Sequence, residues 1–86
     1  MISSSVPREI VVMYNNALEL SNRGDLDAAL REYRRAIDAY PDFVAAYNNI
    51  GEIYTRMGDS EKAILSYLDA LKIDKHYRVL LNLGVD

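Results

Sequence analysis

Shifted by 34 residues, the chain falls onto itself. Asn15 lands on Asn49, Gly24 on Gly58, Asp25 on Asp59, Ala29 on Ala63, Tyr33 on Tyr67 and Ala36 on Ala70. Conservative pairs fill the intervals: Ser21 with Thr55, Asp27 with Glu61, Leu30 with Ile64 and Ile37 with Leu71. A shift of 33 superposes the two Tyr-Asn-Asn triplets, at 14–16 and 47–49, but loses the glycine, aspartate, alanine and tyrosine matches from residue 24 to residue 36. The period is therefore 34, which makes Asn15 equivalent to Asn49, Asn48 to Tyr14 and Asn16 to Ile50. A fixed period of this length predicts one supersecondary unit used twice, a tighter restriction on the fold than any single motif supplies.

Each unit reads as two helices. In the first, Ile10, Met13, Ala17 and Leu20 recur at helical spacing until Arg23-Gly24 breaks the pattern. Asp25 is placed to cap a second helix, with Asp27 favourable in its first turn near the positive end of the helix dipole. That helix carries Leu26, Ala29, Leu30, Tyr33, Ala36, Ile37 and Tyr40 on its inner face, and Pro41 stops it. The second unit repeats the plan with Tyr47, Ile50, Gly51 and Tyr54, a break at Gly58, then Ala63, Ile64, Tyr67, Ala70, Leu71 and Ile73. Pro7 suits the first turn of the opening helix. Ala17 and Gly51 match in the first helices, Ala29 and Ala63 in the second. Such small residues let paired helices approach closely, with Tyr33 or Tyr67 filling the groove beside the contact. The class is all-α.

Composition narrows the function. Eighty-six residues allow one small domain, half of them apolar, with a net charge of −3. Residues 1–43 carry five basic and seven acidic side chains, and residues 44–86 five and six, so no basic face suggests nucleic acid or an anionic membrane. The chain has no cysteine, which removes disulfides and thiolate metal sites and fits a cytoplasmic protein. The four apolar residues Ile10–Met13 are too few for a signal peptide, and no apolar run approaches the ~20 residues that span a bilayer. The chain reads as soluble. His76, the single histidine, belongs to a solvated loop rather than a zinc site. The pairs Asp25/Asp27 and Asp59/Glu61 both open helices, where capping explains them without catalysis. Arg31, Arg34 and Arg35 are flanked by Asp27, Glu32 and Asp38, and the spacings Asp27/Arg31 and Arg34/Asp38 fit a solvated outer face. Phosphate-loop, dinucleotide and nucleophile-elbow motifs are absent from the sequence. No enzyme, cofactor or metal is expected.

The joint pattern resembles tetratricopeptide repeats. It combines a small residue in the first helix, Gly at the turn, Ala, an aromatic and Ala in the second helix, and Pro at the exit. Ala17, Gly24, Ala29, Tyr33, Ala36 and Pro41 carry it in the first unit, and Tyr47, Gly51, Tyr54, Gly58, Ala63, Tyr67 and Ala70 in the second. The resemblance covers residues 10 to about 77. Met13 replaces the usual aromatic, Asn16 the usual leucine and Lys75 the usual proline. It implies a right-handed α-α superhelix of two helical hairpins plus a partial fifth helix. Residues 1–9 are then a lead-in, 10–43 and 44–77 the two repeats, and 78–86 a partial third repeat or capping helix.

What the resemblance implies about function is binding, of an extended peptide or a partner helix, in a concave groove lined by the first helix of each unit. Transferred residue by residue, that groove comprises Tyr14, Asn15, Leu18 and Asn22, then Asn48, Asn49, Glu52 and Arg56. Asn82 joins Asn15 and Asn49 if the third unit begins one residue early. Some arrays of the family use an asparagine ladder at this position to hold peptide backbones, because an amide both donates and accepts. The family's carboxylate-clamp mode fits poorly, since Tyr14 and Leu18 stand where it needs lysine and asparagine. The segment with Val79, Leu80, Leu81 and Leu83 is rich in apolar residues, and an uncovered apolar patch marks an interface. Self-association through this segment, as a structural assembly unit, is the alternative to groove binding. A third possibility is a non-catalytic appendage of a larger enzyme.

Overall fold

The computed structural model describes residues 6–74. Among these are four helices, α1 (Arg8–Asn22), α2 (Leu26–Ala39), α3 (Val44–Met57) and α4 (Ser60–Ile73). They form two compact units divided between Phe43 and Val44, with α1 packed on α2 and α3 packed on α4. The expected partial fifth helix, and with it Asn82, His76 and the apolar residues Val79, Leu80, Leu81 and Leu83, lies outside the described residues.

The turn inside each hairpin is built twice by the same chemistry. Gly24 and Gly58 adopt φ of +87° and +84°, a left-handed conformation that costs glycine nothing for lack of a Cβ. In the first hairpin the Gly24 N–H donates to the Ser21 carbonyl and the Asp25 N–H to the Leu20 carbonyl, both at 2.9 Å. In the second, Gly58 donates to Thr55 at 3.0 Å and Asp59 to Tyr54 at 2.9 Å. This is the Schellman closure, which satisfies the last carbonyls of the outgoing helix. The aspartate that completes it also starts the next helix, its own carbonyl accepting from Ala29 or Ala63 at 3.0 Å.

The two aspartates differ in one respect. Asp59 caps α4 with its side chain, accepting from the Lys62 N–H at 3.2 Å, whereas the Asp25 side chain makes no cap hydrogen bond. The capping role expected of Asp25 is thus played by its backbone alone. Pro7 precedes the first helical residue of α1, and its carbonyl accepts from Ile10 and Val11 at 3.0 and 3.1 Å. At the end of α2, Tyr40 leaves the helical region with φ −143°, as the residue before Pro41 must.

Small residues bring the paired helices together. Ala17, Ala29 and Ala36 are fully buried in the first hairpin, and Ala46, Ala63 and Ala70 are buried in the second. Tyr33 and Tyr67 are the largest fully buried side chains at equivalent places in α2 and α4. A Cβ placed on Gly51 would lie 2.6 Å from Cε1 of Tyr67, so the tyrosine ring occupies the space that the glycine leaves.

Tyr67 is buried as a ring and as a hydroxyl. Among the described residues its Oη makes no hydrogen bond, while the neighbouring Thr55 Oγ1 donates its proton to the Gly51 carbonyl at 3.0 Å. Burial pushes the phenol above its ordinary value of 10.0, and the Glu52 charge adds to the rise. A phenol raised in the fold keeps its proton where the unfolded phenol has lost it. Its contribution is therefore fully present below about pH 10 and declines as pH rises further. Tyr67→Phe is expected to leave neutral-pH stability within about 1 kcal/mol of the parent, or to raise it, because no hydrogen bond is lost. The same substitution should flatten the decline above pH 10, measured by urea unfolding across pH. A loss of more than about 2 kcal/mol at neutral pH would show instead that the hydroxyl is bonded.

Candidate functional site

The sequence-expected groove residues divide between two helix faces. On α1, Asn15, Leu18 and Asn22, joined by Val11 one turn earlier, follow one another at three- and four-residue intervals, and all four are exposed. Val11 and Leu18 are 39% and 38% exposed, and they give this face an apolar character. Among the described residues the Asn15 side chain makes no hydrogen bond. Tyr14 sits at the edge of this face and is half-buried. Its ring meets Tyr33 edge-on at 5.6 Å and Phe43 at 5.0 Å, and Phe43 in turn meets Tyr40 at 6.1 Å. Much of Tyr14 is therefore committed to holding the hairpin together, with the remainder at the surface.

On α3, Asn49, Glu52 and Arg56 share a face, Asn49 half-buried and the other two exposed. Asn49 and Arg56 are both engaged in contacts within the protein. Asn48 is buried, only 8% exposed, and it too is engaged internally. The period explains the difference, since Asn48 is the counterpart of Tyr14, a position turned partly toward the hairpin interior.

Two open clefts lie elsewhere, between α1 and α2. One open cleft of about 360 Å³ is lined by Asn16, Glu19, Leu20, Arg23, Glu32 and Arg35. A second, of about 440 Å³, adjoins it and shares Asn16, Glu32 and Arg35. Arg35 pairs with Glu32 at 3.0 Å and Arg23 with Glu19 at 3.5 Å, so the walls are largely self-neutralised. Exposed pairs of this kind contribute only about 0–1 kcal/mol. Asn16 is exposed where its counterpart Ile50 is buried, and that substitution in the repeat is the signal that could have marked this flank. Arg31, Arg34 and Arg35 of α2 are exposed, as expected, and Arg35 pairs with Glu32 at 3.0 Å.

Metal chemistry finds no donor set here, since no group of three or more His, Cys, Asp or Glu side chains converges among the described residues. Among the same residues no helix is long and apolar enough to cross a membrane. What the two faces offer is an exposed apolar strip with amides on α1, and an amide with charges of both signs on α3.

Two comparisons bear on this arrangement. Over 71 residues the chain is 38% identical to Protein O-mannosyl-transferase TMTC3 of Homo sapiens and, equally, to the protein of that name from Mus musculus. The match takes in 81% of this chain and 8% of each relative, so the chain spans a small part of their length. A tetratricopeptide repeat family model matches residues 14–84. Repeats of this family are typically non-catalytic and generally serve protein–protein interaction. With its helical hairpins, glycine turns and alanine–tyrosine packing, the chain belongs to the tetratricopeptide repeat family.

Proposed function

We propose that the protein is a cytoplasmic interaction module that takes an extended peptide, or a partner helix, along the exposed faces of α1 and α3. The observation that carries this reading is the exposed strip of α1. Val11 and Leu18 present aliphatic surface on either side of the Asn15 amide, which makes no hydrogen bond among the described residues and can accept and donate to a peptide group at once. Asn49 stands at the equivalent place in α3, with Glu52 and Arg56 on the same face. The α1 face suits apolar side chains of a ligand, and the α3 face suits polar ones. Asn82 is the third member of this proposed ladder, and Tyr14 and Asn22 complete the face on α1.

Screening the chain against an immobilised peptide array supplies the test. Asn15→Ala and Asn49→Ala are each expected to weaken captured peptides by roughly 5–10-fold, the loss of one hydrogen-bond pair to a backbone. Leu18→Asp should abolish binding of peptides with apolar anchors. Unchanged capture by the Asn15→Ala/Asn49→Ala/Asn82→Ala triple variant would sink the ladder. The likeness to part of two proteins named O-mannosyl-transferases favours one more specific reading, a non-catalytic appendage that recruits substrates to a larger enzyme.

A further inference from the structure

The period allows the outer sides of α2 and α4 to be compared residue by residue. Asp27, Arg31, Arg34 and Asp38 of α2 correspond to Glu61, Leu65, Leu68 and Lys72 of α4. At about 100° per residue, each set occupies a stripe within about 60° of arc. The stripe lies opposite the buried Ala29, Tyr33 and Ala36 in α2, and opposite Ala63, Tyr67 and Ala70 in α4. All eight residues are exposed. On α2 the stripe is charged from end to end. On α4 its centre is two leucines, Leu65 at 61% and Leu68 at 44% exposure, with Ile64 at 47% alongside. The second hairpin thus carries leucine where the first carries arginine, on the side that packing within the hairpin does not use.

We propose that this stripe is a self-association seam, through which α4 pairs antiparallel with α4 of a second copy about a two-fold axis. Residues spaced by four, three and four form the seam along which helices pair. In a two-fold contact, residue i meets j and j meets i. An axis midway between Leu65 and Leu68 sets Leu65 against Leu68 of the second copy. It also sets Glu61 against Lys72 of the second copy, opposite in charge, and does so twice. Lys72 touches Asp69 at 3.8 Å, yet its side chain is 79% exposed and its ammonium has further protons to donate. The same operation on α2 sets Arg31 against Arg34 and Asp27 against Asp38, like against like, so only α4 is complementary to itself. The seam is about three turns long, which makes the dimer small and its formation dependent on concentration. It uses the second helix of its hairpin, so it stands apart from peptide binding on α1 and α3.

The test is the molar mass of the full chain in solution, measured by light scattering or sedimentation over a concentration series. The expected result is a rise from monomer toward dimer. Leu65→Arg/Leu68→Arg should stay monomeric throughout while keeping its helical circular dichroism. It introduces the residues that the first hairpin already carries at these positions, so folding is preserved. Glu61→Lys or Lys72→Glu alone should weaken association roughly tenfold, because both cross-pairs turn repulsive together. The swap Glu61→Lys/Lys72→Glu should restore it. A parent chain that stays monomeric at every concentration overturns the proposal, whether another partner or residues 75–86 of the same chain cover the leucines. So does a dimer indifferent to Leu65→Arg/Leu68→Arg, which would place the contact elsewhere, or a charge swap that fails to rescue.

Discussion

Tyr33→Ala is expected to lower the thermal midpoint of the protein by on the order of 20 °C, the largest effect of any single substitution considered. The ring is 1% exposed and fills the space between helices that the alanines bring together. Truncating a buried aromatic to alanine costs about 3–5 kcal/mol, through lost transfer energy and the cavity left behind. The edge-on contact with Tyr14 at 5.6 Å adds roughly 0.5–1.5 kcal/mol to what is lost. Small domains have only about 0.05–0.15 kcal/mol per residue in total, so this is a large share of the whole. Each kcal/mol moves the midpoint of a domain this size by about 4–8 °C. Circular dichroism melting measures it directly. A shift of only a few degrees would mean that the hairpin collapses around the missing ring, with Tyr14 and Phe43 moving into its place.

Gly51→Ala tests the closest approach in the second hairpin and has a less obvious sign. Helix propensity alone favours alanine in the middle of α3 by about 1 kcal/mol. Against that, the added Cβ would lie 2.6 Å from Cε1 of Tyr67 and 2.8 Å from both Cδ1 and Cζ. A ring only 1% exposed cannot swing into solvent to make room, so the helices must part. Overpacking of this kind costs typically ~1–3 kcal/mol, and a net loss of roughly 1–2 kcal/mol is expected. The contacts involve ring carbons, so Tyr67→Phe should not relieve the loss, whereas Tyr67→Leu should relieve part of it. A double-mutant cycle by urea unfolding resolves this coupling. If Gly51→Ala proves stabilising, propensity has won and the close contact is softer than its distances indicate. The equivalent Ala17 carries its Cβ fully buried in the first hairpin, so equivalent positions in the two repeats are not interchangeable.

These particulars show where the fold was legible in the sequence and where it was not. Gly24, Gly58 and Pro41 punctuate the chain by backbone sterics, which act locally, so the helix ends were readable without knowledge of packing. The alanines and tyrosines at matching places identify the hairpin core for a similar reason. Only small residues permit that approach, and only a large ring then fills the gap. What the sequence did not reveal concerns side chains with more than one satisfactory partner. Asp25 and Asp59 occupy equivalent places after a turn glycine, yet only Asp59 turns its carboxylate to a backbone N–H. The groove reading of Tyr14 did not include its internal contacts, and its ring also meets those of Tyr33 and Phe43. Asn48 and Asn49 look alike in the sequence, and one turns inward because successive helical residues point about 100° apart. The candidate face is most open on α1, where Asn15 and Leu18 stand exposed.

The paired glycine turns have a consequence for time as well as geometry. Each closes its hairpin by bonds between residues only three to five apart, from Gly24 to Ser21 and from Asp25 to Leu20, and again at Gly58 and Asp59. Little chain entropy is spent before contacts form, and proteins dominated by such short-range contacts fold in microseconds to milliseconds. Either hairpin can begin to fold while most of the chain is still extended. A residue with a Cβ at Gly24 or Gly58 would then act twice, straining the finished turn and slowing the step by which its hairpin first closes.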